Sequence, residues 1–335
     1  MIRFAVGYQP EDELGRPFAE MAAEFRAALS EVYFALPGIA HGRICGTDDD
    51  GQLDRALRDL AALGLRLDLL INAGCYGMEG VTRSFMRQVA EGIDRVRRAA
   101  GRLDVVTTTS RAVATYLKRN FPEIEVRASV NMRIGNTRML DYLAEEFDSF
   151  YLQREYNYDW PVLHAFGRWC RAHGRRFYLL ANSGCMNWCA GQTFHDNLLG
   201  HYQDTPQEEL LENFDPTLCG TYYRNGRNAA NLLKNSWIRP EDVDGYDGLC
   251  DGMKLATRAS MRPRRIVQAY AGRVWRGNLL DLLEPGLAAK FLPAILDNTR
   301  FPADWLSRKQ ACTGNCAECG YCEALLPRVM TKVTD

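Results

Sequence analysis

Cysteine thiols are the residues with the clearest chemical potential in this sequence, and the first group of them follows an apolar run. Cys185 and Cys189 lie four positions apart, directly after the apolar residues 177–181 and an Asn-Ser-Gly turn. An apolar run of this length that ends in turn residues is typical of a buried strand. We therefore expect both thiols at the carboxyl end of a strand, where α/β proteins usually carry out their chemistry.

A second group of thiols lies near the end of the chain, with the spacing C-x3-C-x2-C-x2-C. Its members are Cys312, Cys316, Cys319 and Cys322. Soft thiolates select iron–sulfur clusters or zinc, and such tight spacing is typical of ferredoxin-like runs. We expect a cluster here, with zinc as the alternative. The first three cysteines also match the radical S-adenosylmethionine signature, but that signature belongs after the first strand of a barrel.

Further cysteines could complete a centre around Cys185 and Cys189. Cys219 and Cys250 both fall between the seventh predicted strand and the eighth. If these segments meet at one rim, three or four of these thiols could hold a 4Fe–4S cluster. Either Cys45 or Cys75, each just after a predicted strand, could replace Cys250 as the fourth ligand. Cys170, on the apolar face of a predicted helix, is instead expected to be a buried packing residue.

Charged residues at the predicted strand ends suggest what the site would bind. Five cations lie at or near these ends: Arg43, Arg133, Arg154, Lys254 and Arg258. Such a ring suits an anionic substrate through bidentate pairing, although these side chains could equally pair with neighbours such as Glu155. His195 follows the cysteine pair and could serve in acid–base chemistry or as a ligand. Four aromatic residues could line the pocket: Tyr156, Tyr158, Trp160 and Trp188.

The elements that must position these residues form a regular alternation. Short apolar runs alternate with helical patterns, and no dinucleotide-binding glycine motif is present, so we predict a (β/α)8 barrel over residues 1–273. A doubly wound open sheet is the alternative. The eight predicted strands are Ile2–Tyr8, Val32–Leu36, Leu67–Asn72, Asp104–Thr109, Val126–Met132, Phe150–Gln153, Phe177–Ala181 and Gly252–Thr257. Residues 274–335 are predicted to be a helical extension that carries the four-cysteine motif, with an apolar helical segment over 277–299 that Pro285 and Pro293 interrupt.

Composition narrows the class of protein. The chain has 335 residues, a formal net charge of −1 and 11 cysteines. A charge near zero gives no indication of nucleic acid as a partner. No apolar run approaches the roughly 20 residues that span a bilayer, and we expect a cytoplasmic protein without membrane contact. Clustered cysteines in that compartment favour metal or redox chemistry over disulfides.

Several strand-end segments together resemble one family. They are ASVNMRIGN at 128–136, QRE at 153–155, and DGMKLATR at 251–258, in which Lys254 and Arg258 match the family's Lys-Ile-Glu-Gly-Arg segment. In order and spacing they are similar to the peptidase U-32 (collagenase-like) family, which includes oxygen-independent RNA and ubiquinone hydroxylation proteins. The resemblance implies a barrel with a 4Fe–4S cluster on the cysteines after the seventh strand, and hydroxylation with prephenate as the oxygen donor. The spacing of the cysteine pair and the short cysteine-rich tail depart from that pattern, so the substrate does not carry over.

These observations lead to a hypothesis and two alternatives. We expect an iron–sulfur enzyme that modifies a small anionic molecule, with Arg154, Glu155, Lys254 and His195 as the catalytic candidates. The tail would hold a second cluster, and an electron-donor protein or a partner subunit would be needed. The first alternative is a non-catalytic scaffold stabilised by zinc in the tail. The second is a peptidase, although the sequence offers no convincing pair of nucleophile and base.

Overall fold

Eight parallel strands closed into a barrel form the centre of the molecule, which we describe from a computed structural model for residues 1–39, 41–42, 50–201, 211–212 and 214–332. Each strand pairs with the next in the chain, and β1 closes the barrel against β8. The strands are β1 Phe4–Gly7, β2 Leu29–Phe34, β3 Arg66–Ile71, β4 Val105–Thr108, β5 Glu125–Ala128, β6 Ser149–Tyr151, β7 Arg176–Leu180 and β8 Gly252–Leu255. The predicted (β/α)8 barrel is confirmed, and every predicted strand is present.

Helices connect the strands and cover the barrel. They are α1 Phe18–Glu24, α2 Asp50–Ala62, α3 Arg83–Ala100, α4 Arg111–Asn120, α5 Thr137–Leu143, α6 Trp160–Ala172, α7 Gln192–Gly200, α8 Leu218–Tyr222, α9 Asn231–Lys234, α10 Pro263–Ala271, α11 Trp305–Gln310, α12 Cys316–Cys319 and α13 Tyr321–Val329. Helix α3 shows why the sequence folds this way. Thr82 caps its amino terminus, and Gly101 ends it at a φ of 77°, a conformation that favours glycine. Its buried face, with Val89 and Ile93, packs into the barrel core.

The interior of the barrel is unusually polar. Barrels of this kind are normally filled by layers of branched apolar side chains. Here Arg127 of β5 is fully buried and donates hydrogen bonds across the barrel to both carboxylate oxygens of Glu31 on β2, at 2.5 and 3.0 Å. It also donates to Glu125 Oε1 at 3.0 Å. Burial raises the pKa of Glu125, but the charges of Arg127, Arg66 and Arg176 outweigh it and hold that pKa at about 2.

The segment after the barrel differs from its prediction. Residues 277–299 do not form an α-helix; they form short 3-10 turns and strand β9 Ala294–Leu296, which pairs antiparallel with β10 Met330–Lys332. Pro285 and Pro293 lack the amide hydrogens that a helix needs. In addition, Glu284 donates its backbone N–H to the Asn182 carbonyl, so the chain there is tied to the end of β7. The predicted helix is therefore wrong for this segment.

Some predictions fall on residues that the structure does not describe. Arg43 and Cys45 lie outside the described residues. Within the described ranges, none of the helices has the length and apolar character that a membrane span requires.

The C-terminal segment packs against the barrel domain. Its Leu279 and Leu282 are buried in the same apolar cluster as the helices that cover the barrel.

Candidate functional site

A cavity of about 100 Å³ opens at the carboxyl end of the barrel strands. It is bounded by the ends of several strands, the loop after β7, helix α7, the start of α8 and the turn at Glu284 and Pro285. Seven of the predicted site residues line it: Arg154, Cys185, Cys189, His195, Cys219, Lys254 and Arg258. They meet here because Lys254 lies near the carboxyl end of β8 and the other six follow strands in the chain.

The loop that carries Cys185 and Cys189 is fixed by the buried Asn182. Its Nδ2 donates to the carbonyls of Ala256 at 3.0 Å and Leu282 at 2.8 Å, while its Oδ1 accepts from Ala256 N at 2.7 Å. One side chain thus joins the ends of β7 and β8 to the C-terminal segment. Gly184 then passes so close to the wall of the cavity that a Cβ atom there would lie 2.6 Å from the carbonyl oxygen of Pro285.

The third thiol reaches the cavity from a separate segment. Cys219 lies in the first turn of α8, whose start is capped by Thr217, and Thr217 in turn donates to Asp215 at 2.6 Å. Burial raises the pKa of the Cys189 thiol, and likewise that of Cys219. The charge of the neighbouring Arg154 works in the opposite direction at Cys189. Both thiols are therefore neutral in these surroundings, and a metal would have to displace their protons.

Cys250 does not join this group, and its predicted place on the rim is wrong. It lies two residues before the start of β8, which puts it at the amino-terminal end of the barrel, opposite the cavity. Burial there raises its pKa to about 12. The connection from β7 to β8 runs from one end of the barrel to the other, so its first residues lie near the cavity and its last do not. Cys170 is buried in α6, as predicted.

Cys75 lies at the cavity end of the barrel but faces a different partner. It follows β3 and does not line the cavity; its thiol is hydrogen-bonded to the side chain of His201, at the end of α7. Its sulfur also accepts the backbone N–H of Gly77 at 3.4 Å. The bond to His201, followed by that from Gly77, lowers the pKa of Cys75. The structure thus supplies a thiol–imidazole pair that the sequence did not reveal.

The tail thiols lie at the surface beside two lysines. Cys312, Cys316 and Cys319 are exposed and Cys322 is partly buried. The buried Lys309 donates to the carbonyl oxygens of Leu233 at 3.1 Å and Asn235 at 3.2 Å. Lys234 pairs with Glu323 at 2.5 Å. These contacts attach the cysteine motif to α9, in the long connection between β7 and β8, with positive charge beside the thiols.

The thiols that line the cavity are the candidate ligands for a metal centre there. Within the described ranges, no group of three or more Cys, His, Asp or Glu side chains is already arranged to hold a metal ion. The cavity does bring three thiols from two segments to one surface, and these are the ligands that an iron–sulfur centre uses. The residues thus fit such a centre in donor type, and Cys185, Cys189 and Cys219 are the residues that would hold it.

The predicted cations divide into two sets. Arg154, Lys254 and Arg258 line the cavity. The buried Arg154 lies 3.7 Å from Glu155 Oε1, and the Nζ of Lys254 lies 3.8 Å from the centre of the Tyr33 ring. Arg133 instead holds α7 in place through Asp196, at 3.1 Å, and the Thr193 hydroxyl.

The structure adds residues that the sequence reasoning did not select. Tyr33, Asp196 and Glu284 line the cavity, whereas none of the four predicted aromatic residues does. Tyr158, for example, is buried and donates its hydroxyl to the Trp237 carbonyl. The position of Tyr33 near the end of β2, two residues after the inward-facing Glu31, was the available signal, because alternate residues of a strand face the same side.

The barrel architecture matches that of a solved protein structure. No protein-family profile matches the chain. A solved structure, the U32 peptidase Mk0906, superposes with a TM-score of 0.54 at 11% identity, covering 76% of this chain and 92% of the other. The chain shares the barrel fold of a U32 peptidase. The predicted resemblance to that family is confirmed at this level.

A sequence relative agrees with the structural comparison. An uncharacterized protease of Methanocaldococcus jannaschii, MJ1657, is 28% identical over 160 residues, which make up 45% of each protein. The match thus spans about half the length of that curated relative. The names of both proteins refer to peptidases.

Proposed function

We propose that the protein is an enzyme whose active site is the cavity at the carboxyl end of the barrel, and that it carries out a redox modification of a small anionic substrate. The observation that supports this most is the joint presence of three thiols and three cations on one small cavity. A volume near 100 Å³ suits a small molecule better than a polypeptide. Oxygen-independent hydroxylation with an organic donor such as prephenate is the reaction that the family resemblance favours.

The roles of the chain's own residues follow from their positions. Cys185, Cys189 and Cys219 would hold a 4Fe–4S cluster, which supplies one-electron chemistry when bound. Arg154 presents a planar guanidinium that can pair with a carboxylate through two hydrogen bonds. Its buried Nε makes no hydrogen bond among the described residues, and the nearest charge to it is Glu155 Oε1 at 3.7 Å. The tail thiols would hold a second cluster, with zinc as the alternative there.

Metal analysis of protein purified without oxygen tests this proposal. The wild-type chain is expected to contain about eight iron atoms and as many acid-labile sulfides. Cys185→Ala should remove the cavity cluster and Cys316→Ala the tail cluster, each halving the iron. Cys250→Ala is the matched control: this thiol lies at the other end of the barrel, and its loss should leave the iron unchanged. Colourless protein with one zinc atom, or iron that neither variant reduces, would refute the assignment.

A second candidate function is peptide hydrolysis, and one feature of the structure favours it. The thiol of Cys75 is hydrogen-bonded to His201, and its pKa is lowered. A thiol activated by an imidazole is the recurring nucleophile–base pair of cysteine peptidases. The two relatives named as peptidases support the same direction. In this reaction the thiolate would attack the peptide carbonyl, and the histidine would return a proton to the leaving amine.

Hydrolysis of a fluorescent casein substrate distinguishes the two candidates. If Cys75 is the nucleophile, Cys75→Ala should reduce cleavage by at least about 100-fold, since general-base and nucleophilic groups contribute on that scale. Cys312→Ala removes an exposed tail thiol and should leave cleavage unchanged. No cleavage by the wild type, or equal cleavage by both variants, would exclude the peptidase function at this pair.

A further inference from the structure

Lys254 lies between the cavity and the interior of the barrel. It is on β8 and only 8% exposed, yet it lines the cavity. Its Nζ lies 3.8 Å from the centre of the Tyr33 ring and 5.5 Å from that of Tyr151. Within the part of the chain that the structure describes, this Nζ makes no hydrogen bond and no direct ion pair. This buried amine contacts aromatic rings and is therefore available to bind a ligand in the cavity.

Asp68 lies inside the barrel on β3, in register with Tyr33 of β2. The carboxylate is fully buried, and its Oδ2 accepts a hydrogen bond from the Thr107 hydroxyl at 2.8 Å. Arg127 Nη1 is 3.8 Å from the same oxygen. The other oxygen, Oδ1, is buried and has no hydrogen-bond partner among the described residues. Half of this carboxylate is therefore not committed to the ion network around Arg127.

The charges that face Lys254 oppose one another. They come from several strands and the loop after β8: Glu31, Asp68, Arg127 and Arg258. Burial has the largest effect and lowers the pKa of Lys254, against the charge of Asp68, which raises it. Burial also raises the pKa of Asp68, and the charge of Glu31 adds to that. Each group thus shifts the pKa of the other, so the charge of Asp68 affects how readily Lys254 releases its proton.

We propose that Lys254 is the proton-transferring group of the cavity and that Asp68 is a positioning residue whose charge, inside the barrel, controls how firmly Lys254 holds its proton. In the proposed step an N–H bond of the ammonium breaks and an O–H bond forms on an anionic substrate oxygen, which leaves Lys254 as a neutral amine. Solvent then returns the proton. This inference rests on the cavity being the active site, but it requires no metal, so it can fail independently of the cluster.

Competitive labelling of the full-length protein with acetic anhydride measures the protonation of Lys254 directly. Labelling between about pH 6 and pH 11, followed by digestion and mass spectrometry, gives a midpoint for each lysine. In the wild type, Lys254 should titrate at least about one pH unit below exposed lysines, whose pKa is about 10.4. Asp68→Asn removes a negative charge that raises the pKa of Lys254, so the midpoint should fall further. For each half pH unit that the midpoint falls, labelling at a pH below the midpoint should rise roughly threefold.

Two controls separate this effect from a general disturbance of the fold. Lys309 of the C-terminal region is also buried, but it bonds to the backbone carbonyls of Leu233 and Asn235 in the connection between β7 and β8, so its midpoint in the same digest should not move. Asp104, just before β4, accepts a hydrogen bond from the backbone N–H of Leu67 in β3. Asp104→Asn should leave the labelling midpoint of Lys254 unchanged. The proposal is overturned if wild-type Lys254 titrates with the exposed lysines, a result that needs no variant. It is also overturned if Asp68→Asn leaves the midpoint where it was.

Discussion

Replacement of Arg127 by methionine is expected to lower the free energy of unfolding by about 3–5 kcal/mol, measured by urea denaturation. The guanidinium is fully buried and bridges two carboxylates, Glu31 and Glu125, that themselves have almost no access to water. Its removal leaves these charges in the barrel without their main partner. Methionine retains most of the volume, so the loss reports the charges and not a cavity.

Arg111→Met provides the matched control for that measurement. Arg111 makes a bidentate pair with Glu146, but its side chain is 69% exposed, and surface pairs contribute little. A similar loss in both variants would contradict the special role of the interior network. Glu31→Gln in the Arg127→Met background should restore part of the stability, because it removes the charge of one of the two carboxylates that had lost their main partner.

The barrel could be predicted because each strand and helix carries its own signal. The run 177–181 reads as a strand from composition alone, and α3 reads as a helix from its apolar period. Apolar patterns did not predict the polar interior of the barrel, because they register only apolar residues. Glu125 and Arg127 occupy alternate positions of β5, as Glu31 and Tyr33 do in β2. A search for apolar runs does not select charged residues within a strand.

The site could be predicted only as far as strand order determines it. Residues directly after strands, such as Cys185, reach the cavity because all carboxyl ends of a parallel barrel point the same way. A residue late in a connection, such as Cys250, has already returned to the other end of the barrel. The pairing of Cys75 with His201 depends on how α7 packs against the loop after β3, where a Cβ on Gly200 would lie 3.0 Å from the Cys75 carbonyl oxygen. No local pattern encodes such a contact.

Asn182→Leu is expected to destabilise the protein by about 3 kcal/mol or more, because each buried polar group left unpaired costs about 1–3 kcal/mol. The amide of Asn182 satisfies the Ala256 carbonyl, the Ala256 N–H and the Leu282 carbonyl, all at the end of the barrel that holds the cavity. Leucine has a similar shape but can make none of these bonds. Thermal and urea unfolding would measure the loss.

The same substitution should also disturb the thiols. Asn182 is three residues before Cys185, and its side-chain amide ties the start of this loop to the Leu282 carbonyl, in the segment that leads to Glu284. We expect Cys185 and Cys189 to react faster with iodoacetamide in Asn182→Leu than in the wild type at a temperature where both are folded. Asn120→Leu, which removes an exposed bond to the Tyr116 carbonyl, should change neither stability nor thiol reactivity appreciably. Unchanged thiol reactivity in Asn182→Leu would mean that the loop holds its position without this amide, and that the packing of Gly184 against Pro285 is sufficient to place the cysteines.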